Sequence, residues 1–125
     1  MKKSFPHFRF IKGGFLVYQI REILLKNGPH ERKRIVIEFD DPRMEIVSEF
    51  LMTDAPLLGG EVLHEIDRVL VGERERLESS GNRCAVLIQA DVTLIEDLFE
   101  TYPSYEMDTQ ELRDLIEMWL NKVSE

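Results

Sequence analysis

The clearest periodic pattern of apolar and polar residues lies near the C-terminal end of the chain. Apolar residues recur there at the spacing of one helix face: Leu112, Leu115, Ile116, Trp119, Leu120 and Val123. Asp108 or Thr109 stands before this stripe as a capping residue, and Asp108 with Glu111 has the three-residue spacing of a capping box. The pattern predicts a helix that begins near residue 108 and buries Trp119 in the core.

Two further helices are predicted in the middle of the chain. Asp41 as the N-cap residue and Pro42 at the first helical position favour a helix start, and the helix should end near residues 53–56. Apolar residues spaced for one buried stripe predict another helix from about residue 60 to residue 71.

Residues 15–27 fit two interpretations. Leu16, Ile20, Ile23 and Leu24 follow helical spacing, and the sequence Asn-Gly-Pro that follows is a good helix stop. Residues 15–18 taken alone would suit a strand. We predict a helix for this segment.

The remaining apolar segments predict strands. Residues 8–11 and 34–39 are short runs rich in β-branched or aromatic side chains. From Glu73 to Phe99 a charged segment, the turn cluster of residues 79–82, an apolar run and an alternating run follow one another, which predicts an antiparallel meander. A helix from residue 92 to residue 99 is the alternative, and the β-branched residues there disfavour it.

Together the elements predict an α+β fold, with an antiparallel sheet of four to five strands covered by about four helices. The length of 125 residues predicts one domain over residues 1–125. Hydrophobic residues make up 43% of the chain, which allows a real core and argues against disorder.

The charge balance narrows the choice of partners. There are 24 Asp and Glu against 16 Lys and Arg, a net charge of −8. Such a surface repels nucleic-acid phosphates and anionic membranes and attracts basic partners. Cys84 is the single cysteine, in an apolar run that predicts a buried thiol. No apolar stretch is long enough for a signal peptide or a membrane span, so we expect a cytoplasmic protein.

Motifs for catalysis, cofactor binding and metal binding are absent from the sequence. The three histidines, His7, His30 and His64, have no partner at metal-ligand spacing. Neither a glycine-rich phosphate loop nor a nucleophile motif is present. The acidic group of Glu38, Asp40 and Asp41 at a strand end could hold a divalent cation, so a metal-dependent enzyme is one hypothesis for the function. We predict a protein that is not an enzyme and needs no cofactor.

Four segments resemble the small bacterial immunity proteins of contact-dependent growth inhibition and related polymorphic toxin systems. Residues 81–99 (GNRCAVLIQADVTLIEDLF) resemble their strand pair, and residues 106–120 (EMDTQELRDLIEMWL) resemble their closing helix. Residues 27–31 and 37–42 are also similar to that group. The resemblance covers about residues 15–120.

The resemblance implies a function and a partner. Proteins of this group protect the cell from a toxin C-terminal domain, typically a basic nuclease, so we expect stoichiometric binding of such a domain. Acidic side chains on rigid elements would pair with its lysines and arginines. The candidate contact residues are Glu61, Glu65, Asp67, Glu96, Asp97 and Glu100. An adaptor or structural module that binds another protein surface is the alternative.

Overall fold

The structure is a computed structural model that describes residues 6–11 and 14–124. In chain order its elements are β1 Pro6–Ile11, β2 Gly14–Asn27, β3 His30–Phe39, a 3₁₀ turn Pro42–Met44, α1 Glu45–Met52, α2 Ala55–Leu70, β4 Arg76–Ser80, β5 Cys84–Gln89, β6 Val92–Asp97, β7 Tyr105–Asp108 and α3 Thr109–Val123. The chain divides after Pro42 into an N-terminal and a C-terminal compact unit.

The N-terminal unit is an antiparallel sheet with the strand order β1-β2-β3. The helix that we predicted for residues 15–27 is wrong, because this segment is the long strand β2. Its register runs from Tyr18 opposite Phe39 to Asn27 opposite His30, so ten residue pairs connect it to β3. Apolar residues at helical spacing also suit a strand when a partner strand satisfies the backbone. Gly28, with a φ of 63°, turns the chain between the two strands.

The C-terminal unit combines three α-helices with an antiparallel sheet in the order β4-β5-β6-β7. Burial alternates along the two central strands: Cys84, Val86 and Ile88 of β5 are buried, and the residues between them are half-exposed. On β6, Thr93 and Ile95 are buried in the same way. One face of the sheet therefore joins the core, as period-two side-chain direction requires. The predicted meander is confirmed, and residues 92–97 form a strand.

Helices α1 and α2 begin elsewhere than the sequence predicted. Pro42 starts a 3₁₀ turn and α1 follows with Met44 as its N-cap, so the N-cap that we predicted at Asp41 is wrong. Helix α2 starts at Ala55, about one turn before the predicted residue 60, with Pro56 in its first turn. Proline is tolerated there because the first helical N–H groups have no partner within the helix.

Helix α3 matches its sequence pattern. The Asp108 carboxylate accepts a hydrogen bond from the backbone N–H of Glu111 at 3.0 Å, which confirms the predicted cap. Trp119 is 1% exposed, and its indole N–H donates to the backbone carbonyl of Leu51 on α1. The indole therefore fills the core and satisfies one of the last carbonyls of another helix.

The α+β class is confirmed. Within the described ranges, seven strands are divided between a three-stranded and a four-stranded antiparallel sheet. The assignment of residues 1–125 to one domain stays a prediction. In the part of the chain that the structure describes, no helix combines the length and the apolar character needed to cross a membrane.

We expect Trp119→Ala to lower the free energy of unfolding by about 3–5 kcal/mol, because it removes a buried aromatic ring. Trp119→Phe keeps a ring but leaves the Leu51 carbonyl without its donor, so its cost should be about 1–3 kcal/mol. Urea unfolding of both variants measures the difference. A loss below about 1 kcal/mol for Trp119→Ala would contradict a core position.

Candidate functional site

Asp54 holds the turn between β4 and β5 through backbone hydrogen bonds. Its carboxylate accepts from the N–H of Asn82 at 2.9 Å, of Arg83 at 3.1 Å and of Cys84 at 2.7 Å. Asp54 is 2% exposed and lies between α1 and α2, so one buried carboxylate joins the helices to the sheet. Three backbone donors that would otherwise lack partners are satisfied at this point.

Arg83 links Asp54 to a second buried carboxylate, that of Asp97. Its backbone is held by Asp54, and its guanidinium Nη2 donates to Oδ2 of Asp97 at 3.1 Å. The Arg83 side chain is 17% exposed and the Asp97 side chain is 0% exposed. A charge-assisted pair in such a position is stronger than a surface pair because water competes little for it.

Asp97 in turn holds the first part of the connection between β6 and β7, residues 98–102, which we call the anchor loop. Its carboxylate accepts from the backbone N–H of Phe99 at 2.9 Å and from those of Thr101 and Tyr102, both at 3.0 Å. Glu100 has a φ of 55°, a left-handed conformation that non-glycine residues adopt rarely. The internal hydrogen bonds keep the loop in this conformation.

The electrostatics of Asp97 follow from these contacts. Burial of the carboxylate acts to raise its pKa, but hydrogen bonds from the N–H groups of Tyr102 and Phe99, the Arg83 guanidinium and the Thr101 N–H outweigh that effect. The pKa of Asp97 is therefore held below its usual value. The charged form of this side chain is part of the folded structure.

The anchor loop presents apolar and acidic side chains together. Phe99 is 62% exposed, and the guanidinium carbon of Arg83 lies 4.6 Å from its ring centre. Leu98 is 49% exposed, and Glu96 and Glu100 are also exposed. A cation over the ring face fixes the aromatic side chain in place. An exposed aromatic side chain on a rigid support, flanked by carboxylates, makes this loop a candidate protein-binding surface.

The six acidic residues predicted as contacts have different environments. Glu96 and Glu100 are exposed beside the anchor loop, whereas Asp97 uses its carboxylate internally. On α2, Glu61 is exposed and Glu65 is half-buried. Asp67 on the same helix accepts from Nε of Arg113 on α3 at 2.6 Å. The role of these residues as partner contacts stays a prediction.

Sequence reasoning missed Asp54, Arg83 and Phe99. Two weak signals were available. Asp97 precedes Phe99 by two residues, the spacing at which an Asp side chain caps its own turn. Arg83 follows Gly81 and Asn82 in the turn cluster. Asp54 and Arg83 are separated by 29 positions in the sequence, so no local signal predicts their contact.

The acidic group at the end of β3 has another environment. Glu38 forms an ion pair with Arg21, and both Glu38 and Asp40 line a cleft of about 190 Å³ beside Tyr18. Within residues 6–11 and 14–124, no group of three or more His, Cys, Asp or Glu side chains could hold a metal ion.

Cys84 is fully buried, as predicted. Burial and then the nearby carboxylates of Asp54 and Asp97 raise the pKa of its thiol to about 12. The thiolate is therefore not populated at neutral pH, and Cys84 acts as a small core residue.

Comparison with known proteins relates the chain to the immunity proteins. No protein-family model and no solved structure matches the chain. A curated protein from Bacillus cereus that is named "Immunity protein" is 32% identical over 85 residues, which cover 66% of this chain and 73% of that protein. The chain therefore belongs to the immunity proteins.

We expect Gly81→Ala to destabilise the protein by about 1–3 kcal/mol, because the Cβ of the alanine would clash with the Asp54 carboxylate, which hydrogen bonds hold in place. That Cβ would lie 2.4 Å from Cγ of Asp54. Gly60→Ala on α2 is the matched control: nothing lies within 4 Å of its Cβ, and helix propensity should add about 0.5–1 kcal/mol of stability. In an Asp54→Ala background the cost of Gly81→Ala should shrink. Equal costs in both backgrounds would contradict the contact.

The pKa of Asp97 predicts a pH dependence of stability. Because this pKa lies below the unfolded value of about 3.9, the charged carboxylate stabilises the fold above that value, and the contribution is lost as the pH falls through the folded pKa. Asp97→Asn should be less stable than wild type at pH 7, and the difference should narrow as the pH falls below about 3.9. Urea midpoints at several pH values test this, with Glu96→Gln as the control for removing one carboxylate. A constant difference would contradict it.

Proposed function

We propose that this chain neutralises a cognate toxin domain by forming a one-to-one complex with it, without turnover and without a cofactor. The observation that carries the proposal is the relationship to the immunity proteins. A toxin domain of a contact-dependent growth inhibition or related polymorphic toxin system, active in the cytoplasm, is the partner that fits. We further propose that this domain is basic and that it is a nuclease.

The distribution of charge supports a basic partner. Residues 43–125 contain 19 Asp and Glu against seven Lys and Arg, a net charge of −12, whereas residues 1–42 contain nine basic and five acidic residues, a net charge of +4. The acidity of the chain thus lies in the C-terminal unit. A nuclease holds phosphate with lysine and arginine, and an acidic surface can occupy those residues in place of the substrate.

The anchor loop is the proposed centre of the contact. Phe99 would supply the apolar anchor, and Glu96 and Glu100 the charges around it. Since Arg83 and Asp97 hold the loop before the partner arrives, little ordering entropy is lost on binding. The sequence also predicted contact residues on α2, namely Glu61, Glu65 and Asp67. A substitution of Glu61, which is exposed, tests whether the toxin binds there instead.

Co-expression tests the function directly. Cells that make the toxin domain encoded next to this protein should survive only when the protein is also made. If the cells survive but the two proteins form no complex, the adaptor alternative is favoured. If the cells die equally with and without this protein, although it is folded, immunity to that toxin is excluded.

The variants of the anchor loop test where the toxin binds. Phe99→Ala should weaken the complex at least about tenfold, mainly through faster dissociation, because a central aromatic side chain is a typical hot spot. Leu57→Ala, which truncates a side chain that is 73% exposed on α2, is the matched control and should leave affinity unchanged.

Charge reversal at the same site should change the association rate, whereas Phe99→Ala should change the dissociation rate. Glu96→Lys with Glu100→Lys should slow association and flatten its salt dependence, because charges at the edge of an interface steer the encounter. Surface plasmon resonance at several salt concentrations separates the two effects. If Glu61→Lys slows association and the loop variants do not, the contact face lies on α2 instead.

A further inference from the structure

Strands β2 and β3 form a two-stranded ribbon beyond the part of β2 that pairs with β1. Strand β1 pairs with β2 from Gly14 to Gln19, and β3 pairs with it from Tyr18 to Asn27. We call residues 21–34 the ribbon. Its side chains are exposed or half-exposed, including Leu24 at 51% and Leu25 at 42%. Neighbouring residues of a strand point to opposite faces, so Leu24 and Leu25 lie on different faces of the ribbon. Because a two-stranded ribbon is only marginally stable in water, an external surface that covers the face of Leu25 would stabilise it.

The ribbon is basic in an acidic protein. It contains five basic residues, Arg21, Lys26, Arg32, Lys33 and Arg34, and two acidic residues, Glu22 and Glu31. The register places Ile23 opposite Arg34 and Leu25 opposite Arg32, so apolar and cationic side chains share one face.

A surface with the opposite character lies on the C-terminal unit. On the face of its sheet away from the buried residues, Leu87 and Leu94 lie opposite each other and are half-exposed. Glu78 of β4 lies opposite Leu87, and Glu106 of β7 lies opposite Leu94, and both glutamates are exposed. This outer sheet face is an apolar centre between two carboxylates, of which that of Glu78 also pairs with Arg76 at 3.5 Å.

We propose that the ribbon of one copy docks on the outer sheet face of a second copy. The arginines would meet Glu78 and Glu106, while Ile23 and Leu25 would cover Leu87 and Leu94. In a reciprocal exchange the contact would be made twice, and the assembly would close as a two-fold dimer. The net charge of −8 opposes association in general, and the segregation of charge makes this one orientation attractive.

Two other occupants fit the ribbon less well. A nucleic acid would pair with the arginines, but the exposed leucines would gain nothing from phosphates, and the two glutamates would repel them. A basic toxin domain would be repelled by the ribbon's net charge of +3. The self-association proposal does not depend on the toxin assignment.

Mass measurement tests self-association. Sedimentation velocity should show twice the 14.7 kDa mass of the chain at low salt, shifting towards the monomer at about 1 M salt, where charges are screened within about 3 Å. Leu25→Ser should weaken the dimer as well, because it removes apolar contact without a change in charge. A monomer at every salt and protein concentration would overturn the proposal.

A charge exchange identifies the two surfaces. Arg32→Glu/Arg34→Glu makes the ribbon acidic, and Glu78→Lys/Glu106→Lys makes the outer sheet face basic. Each variant alone should be monomeric, and an equimolar mixture should form a heterodimer, because each ribbon then meets a sheet of opposite charge. Arg74→Glu, an exposed reversal outside both surfaces, should leave the wild-type dimer intact.

The mixing result also separates folding failure from interface failure, since only folded variants can restore the dimer. Circular dichroism of each variant confirms that it folds. Failure of folded variants to combine would overturn the assigned surfaces. A wild-type monomer whose ribbon binds RNA, or a toxin complex lost only on ribbon reversal, would overturn self-association in favour of that occupant.

Discussion

The Asp54 carboxylate holds three consecutive backbone N–H groups of the β4–β5 turn, and the geometry of the anchor loop depends on this contact. It fixes the backbone of Arg83, whose guanidinium then reaches Asp97. Asp97 orders the backbone from Phe99 to Tyr102. Two buried carboxylates and one arginine therefore connect the helices, the sheet and an exposed loop. Buried charges are costly unless they are fully paired, and here their partners are mostly backbone donors that themselves require acceptors.

Charge is distributed unevenly along the chain, and this has a functional consequence. The net charge of −8 is the sum of a basic segment, residues 1–42, and a strongly acidic one, residues 43–125. The proposed basic toxin domain would be attracted by the acidic segment, because opposite charges speed the encounter of two proteins. The same segregation makes the ribbon and the outer sheet face complementary in charge, so the two proposed associations, with a toxin domain and with a second copy, would both use one feature of the sequence.

The local pattern of residues determined much of the C-terminal unit. The apolar stripe of α3 showed the helical period and its cap, the apolar run of β5 predicted a strand with Cys84 buried, and the alternating run of β6 predicted the next strand. These elements could be predicted because one face of each is buried, which imposes a period on the sequence. The spacing of Leu16, Ile20 and Leu24 was compatible both with one face of a helix and with one face of a strand. Pairing with β3, a contact between distant residues, made that segment a strand.

In the candidate site, too, the sequence predicts some properties of single side chains, and tertiary contacts decide the others. By itself the sequence determined that carboxylates would cluster at residues 96–100, that Cys84 would be buried and that the chain would be acidic. Only the tertiary structure decided that Asp97 faces inward to Arg83 while Glu96 and Glu100 face solvent. The physical reason is that a carboxylate is stable in either place. Which place it occupies depends on whether distant residues supply enough donors to replace water, and such donors meet only when the chain is folded.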